Sequence, residues 1–110
     1  MAHHEHQATI LHKDQYGYLV YCPKCYGFQI AYGTFFLNQS LEDMESFTSM
    51  VNRYYHKYGL RKDRKRRDVY LETPYTGFGI LLSSEDLERL NTMLQNGLLI
   101  VPAKERISQQ

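Results

Sequence analysis

Cysteine is scarce: Cys22 and Cys25 are the only two, and they stand too close together to brace a secreted scaffold. Tryptophan is absent, whereas ten Tyr and five Phe make the aromatic content high. A core drawn from these residues carries phenol hydroxyls that need partners or a surface exit. No stretch approaches the roughly 18 consecutive apolar residues of a membrane span, and runs such as Leu98–Val101 have strand length. The N-terminus, Met1-Ala2-His3-His4-Glu5-His6, lacks the apolar segment of a signal peptide, so the cytoplasm is the expected compartment and no membrane partner is expected. Nucleophile and phosphate signatures are missing too. No H-E-x-x-H, G-x-S-x-G or G-x-x-x-x-G-K occurs, and Thr76-Gly77-Phe78-Gly79 reads as a glycine-relieved hairpin.

Charge of one sign is not in excess overall, since the net value is +1, but it is segregated. Residues 53–67 hold eight basic side chains against one acid, Asp63, and the rest of the chain carries a balance of −6. The expected molecule is polar, with one basic surface. At 110 residues it fits a single domain.

Gln7–His12 and Tyr18–Tyr21 read as short strands around a turn that contains Asp14 and Gly17. From Tyr26 to Leu37 apolar residues alternate and then run together, predicting one long strand bent at Gly33. Ser40-Leu41-Glu42-Asp43 opens a helix whose stripe is Met44, Phe47, Val51, Tyr54 and Tyr58, and Gly59 stops it. A basic connector, Leu60–Arg67, leads to strands at Asp68–Thr73 and Phe78–Leu82. Ser83-Ser84-Glu85-Asp86 caps a second helix, with Leu87, Leu90 and Leu94 inward and a stop near Gly97. Leu98–Val101 is expected to form a final edge strand before the polar tail 102–110.

Tyr32–Val51 aligns without gaps to Tyr75–Leu94, with Ser40/Ser83, Glu42/Glu85, Asp43/Asp86 and Met50/Met93 identical. This echo predicts an α+β fold built as a pseudo-symmetric ββα pair: halves 7–59 and 68–101, connector 60–67, and a mostly antiparallel sheet with two helices on one face.

The most specific chemical pattern is His3-x2-His6-x15-Cys22-x2-Cys25. A C-x2-C turn aims two sulfurs at one point, Pro23 stiffens it, and a second pair completes the tetrahedron zinc prefers. If the N-terminal turn centres near Gln15, paired positions sum to about thirty, which sets His6 beside Lys24, as in a zinc knuckle. The expectation is one structural zinc on His3, His6, Cys22 and Cys25, with His4 and His12 as substitutes. The alternative is an ordinary turn with two small thiols. Redox catalysis is disfavoured, because a β-rich run follows the motif where a thiolate-stabilising helix is needed.

Arg61, Lys62, Arg64, Lys65, Arg66 and Arg67 surround Asp63 and are flanked by tyrosines. Cations that neutralise phosphates and rings that stack on bases would serve a nucleic acid or an acidic protein. A solvated connector with core tyrosines is the competing reading.

Cys22-Pro23-Lys24-Cys25, Phe28-Gln29-Ile30-Ala31-Tyr32-Gly33-Thr34 and Gly79-Ile80-Leu81-Leu82-Ser83 together resemble a family of small bacterial proteins without assigned function. The resemblance implies a stand-alone domain of about this length with a paired-ligand N-terminus, and it carries over no functional residues. The expected function is a small non-catalytic binding or interaction domain. Polyanion binding through 61–67 is the alternative, and a small thiol-redox or hydrolytic enzyme comes third.

Overall fold

The computed structural model describes residues 8–22, 24, 27–73 and 76–100. In chain order its elements are β1 (Thr9–Lys13), β2 (Gly17–Cys22), β3 (Gly27–Tyr32), β4 (Phe35–Gln39), α1 (Leu41–Tyr58), β5 (Val69–Glu72), β6 (Gly79–Leu82) and α2 (Ser84–Ile100). The fold is α+β: a four-stranded antiparallel sheet in the order β1-β2-β3-β4, a separate β5–β6 hairpin, and two helices.

Local chemistry sets the first hairpin. Asp14 Oδ1 accepts from the backbone N–H groups of Tyr16 and Gly17 at 2.7 and 3.1 Å, an Asx turn that reverses the chain. Thr9 pairs with Tyr21 and Ile10 with Val20, so these positions sum to thirty, as expected. A bulge at Leu11 then shifts the register, pairing His12 with Leu19.

The long strand expected over Tyr26–Leu37 is instead two strands. Gly33 has φ +58°, a left-handed conformation open to glycine, and it folds β4 back onto β3 with Tyr32 opposite Phe35. The edge strand expected at Leu98–Val101 is also corrected, because α2 continues through Ile100. Gly97 does not stop that helix. A Cβ there would lie 2.0 Å from Leu19 Cδ2, so glycine is what lets the last turns of α2 lie against β2.

Both helices are capped as the echo suggested. Ser40 Oγ accepts from the Asp43 N–H at 3.1 Å, and Ser83 Oγ accepts from the Asp86 N–H at 2.9 Å. The strand before each cap is β4 for α1 and β6 for α2; β4 closes a four-stranded sheet, whereas β6 belongs to a two-stranded hairpin.

One apolar cluster joins all layers. Leu19, Phe28 and Ile30 from the sheet meet Met44 and Val51 of α1, Leu71 of β5, and Leu87, Leu90 and Leu94 of α2. Each such fully buried side chain contributes about 1.5–3 kcal/mol relative to exposure. α2 contacts β1 and β2, α1 contacts β3, β4 and β5, and the helices touch each other on this buried side. Ile10 and Phe36 of the four-stranded sheet and Tyr70 and Leu81 of the hairpin are exposed. Among the described residues no helix is long and apolar enough to cross a membrane.

Candidate functional site

Of the four residues expected to hold zinc, His3, His6 and Cys25 lie outside the described residues, as does the substitute His4. Cys22 ends β2 opposite Gly27, where it is buried and disulfide-bonded. His12 sits at the other end of the hairpin, its Nε2 2.7 Å from Asp14 Oδ2. That contact, with the N–H donors of Tyr16 and Gly17, holds the Asp14 carboxyl below its usual range. Among the described residues no group of three or more His, Cys, Asp or Glu is placed to hold a metal.

The basic connector divides into two sets. Arg61 lies 3.3 Å from Asp68, Arg64 pairs with Glu88, and Arg67 lies 3.6 Å from Asp86. Arg64 also donates to the Gly59 carbonyl at 2.5 Å, and its own carbonyl accepts from the Glu85 N–H at 3.0 Å. It therefore ties the end of α1 to the start of α2. Lys62, Lys65 and Arg66 are exposed and make no ion pair among the described residues. Of the neighbouring tyrosines, Tyr54, Tyr55 and Tyr58 are partly buried against the core, and Tyr70 is exposed with its ring over Gly79.

Sequence reasoning missed a seam. Among the described residues β4 pairs only with β3 and β6 only with β5, yet residues of both strands line the same two cavities. The first is an apolar cleft of about 560 Å³ between β4, α1 and the β5–β6 hairpin. Leu37, Phe47, Met50, Phe78 and Ile80 form its walls, with Asp43 and Glu72 beside them. Gln39 also lines it, and its side-chain oxygen is buried without a hydrogen-bond partner. The cleft exists because the chain turns at Gly33 and adds β4 as an edge strand. That turn was the one available signal, and the apolar run through Leu37 concealed it.

The second cavity, about 430 Å³, is polar and centred on Asp86. The Tyr32 hydroxyl donates to Asp86 Oδ1 at 2.8 Å, and the Ser83 N–H donates to Oδ2 at 3.1 Å. Arg89 lies 3.9 Å from Asp86 and 3.3 Å from Glu85, with its guanidinium 3.9 Å from the centre of the Tyr16 ring. Burial, then the hydrogen bond to Asp86, pushes the Tyr32 phenol up to about 12. Burial alone would raise the Asp86 carboxyl, but its contacts with Ser83, Tyr32 and Arg67 outweigh that and lower it. These charges satisfy one another and clamp the β1–β2 turn, β3, the connector and α2 together.

No curated protein and no solved structure matches the chain. A family model, that of the family of unknown function DUF6686, matches residues 4–99. The chain therefore belongs to this family of unknown function.

Proposed function

We propose that this chain is a small non-catalytic interaction module that binds a protein partner in the cleft between β4, α1 and the β5–β6 hairpin. The observation that carries this reading is an apolar opening of about 560 Å³ bounded by strand edges that are not paired with each other. Its volume suits the seating of a few side chains. Unpaired strand edges are the usual templates for adding another chain. Phe36, Phe78 and Leu81 are exposed on strands or turns bordering the seam, where a partner would cover them. The test is selection of a displayed random peptide library on the full chain, followed by amide chemical-shift mapping of the selected peptides. Enriched peptides should perturb Leu37, Gln39, Phe47, Met50 and Ile80. A library that yields no peptide mapping there removes the reading.

A structural zinc on His3, His6, Cys22 and Cys25 belongs to the same proposal, for the reduced protein, since a sulfur in a disulfide is not the thiolate zinc requires. The register of Thr9 with Tyr21 and Ile10 with Val20 is the one this ligand set needs, and it supports the reading.

A second reading, polyanion binding, is favoured by Lys62, Lys65 and Arg66, which are exposed and outside the ion pairs of the connector. Three such cations would release about three counterions, a slope of roughly −2.7 in log K against log salt on duplex DNA. A slope near zero, or no retention of DNA or RNA at low salt, dismisses it.

A further inference from the structure

We infer that the occupant of this cleft is an extended peptide that adds to the free edge of β4, with a Lys or Arg followed two residues later by a large apolar side chain. This rests on the binding reading above and names its partner by chemistry.

The edge comes first. β3 pairs along one side of β4 from Phe35 to Gln39, and among the described residues no strand pairs along the other. Alternate residues of an antiparallel edge strand point their N–H and C=O groups outward, so that side can accept a further strand. Side chains alternate as well. Leu37 and Gln39 line the cleft and are half-buried, Phe36 is exposed, and Asn38, which also borders the cleft, turns its side chain to Gln29. An added strand would send every second side chain into the space walled by Phe47, Met50 and Ile80.

Charge then sets the composition. Asp43 and Glu72 line the cleft; among the described residues no basic side chain does, and neither acid makes an ion pair. The Gln39 side-chain oxygen is a buried acceptor with no donor. An ammonium or guanidinium group suits two acids and a bare acceptor, and an acidic peptide does not.

Direction sets the order. Asp43, in the first turn of α1, follows Gln39 by four residues, and Leu37 precedes Gln39 by two on the same face of β4. Every neighbouring pair in this sheet is antiparallel, so the added strand is taken as antiparallel to β4, reaching the Gln39 end first and the Leu37 end second. The basic side chain therefore comes before the apolar one, at the next position of the same facing.

The test uses fluorescence anisotropy of the full chain with three labelled, end-capped probe peptides. They are Thr-Lys-Thr-Leu-Thr-Val-Thr, the same peptide with Glu in place of Lys, and its reversed sequence. The Lys peptide should bind at least tenfold more tightly than either of the others. That preference should vanish in the Asp43→Asn/Glu72→Gln double variant. Both acids are exposed, and the Ser40 cap uses the Asp43 backbone N–H, so the variant keeps its fold. Methylating alternate backbone nitrogens of the Lys peptide should abolish binding if a strand is being added. Equal binding of the three, binding of none, or indifference to backbone methylation overturns the inference. In any of these outcomes, library-selected peptides that still map to the cleft leave the binding reading standing.

Discussion

At the scale of single residues, the firmest chemistry is the Tyr32–Asp86 pair. The inward facing of Tyr32 was legible from its alternation with Phe28 and Ile30, and the Ser83/Asp86 cap from the echo of Ser40/Asp43. Their meeting was not, because it joins positions 54 apart through tertiary packing. Tyr32→Phe is expected to cost about 1–2 kcal/mol near neutral pH, because Asp86 loses a donor while staying partly buried. The pH dependence has a definite sign. Asp86 titrates lower in the fold than in the unfolded chain, so its contribution is present above the ordinary carboxylate range and is lost as pH falls through its lowered folded value. Tyr32 titrates higher, at about 12, so its contribution is intact below the ordinary phenol value and is lost as pH rises toward 12. Urea unfolding at pH 8 to 12 should show wild type and Tyr32→Phe converging as the pH climbs. A constant gap would mean that the phenol is not held neutral by its site.

Arg64 and Lys65 are adjacent in a basic run and indistinguishable in the sequence, yet they do different things. Arg64 bonds the Gly59 carbonyl and Glu88, whereas Lys65 is exposed. Arg64→Ser should lower stability by about 1 kcal/mol. Replacing Lys62, Lys65 and Arg66 by Ser together should stay within about 0.5 kcal/mol of wild type. Chemical denaturation of the two variants separates these outcomes. A stability loss in the triple variant would show that the exposed set is structural.

At the scale of elements, the helices were legible and one strand was not. The stripe Met44, Phe47, Val51 and the triplet Leu87, Leu90, Leu94 repeat at three and four residues, and all six are buried. Tyr26–Leu37 defeated the same reasoning, because a two-residue turn moves the inward set from Phe28, Ile30 and Tyr32 to Phe35 and Leu37, and the apolar run Phe35-Phe36-Leu37 hides that shift. The conformation of Gly33 distinguishes turn from strand, and a sequence does not print φ. Gly33→Val should cost about 1–2 kcal/mol, because an L side chain resists φ +58° although the space around it is open. A neutral result in thermal unfolding would contradict the turn. Leu98–Val101 failed for a related reason, since a short apolar run suits a strand or a buried helix equally. The structure continues α2 through Ile100, with Gly97 against Leu19.

At the scale of the whole molecule, the segregation of charge was visible in the sequence, but its use was not. Three of the six connector cations pair with acids, two of them on α2, so part of the basic excess holds the two halves of the chain together. The seam between β4 and β6 had one signal in the chain, the turn at Gly33, and the meeting of its two edges depends on tertiary packing. The zinc proposal is also tested at this scale. Untagged protein prepared under reduction in zinc-supplemented medium should retain about one zinc per chain by elemental analysis, and Cys22→Ser should retain none. Zinc near zero in the reduced parent would leave Cys-Pro-Lys-Cys as a turn. The most direct measurement for the molecule as a binding module remains amide chemical-shift mapping of library-selected peptides on the full chain. The prediction is that the largest changes fall on Leu37, Gln39, Phe47, Met50 and Ile80, around one cleft. Changes confined to Lys62–Arg66, or to the open sheet face around Ile10 and Tyr18, would contradict it.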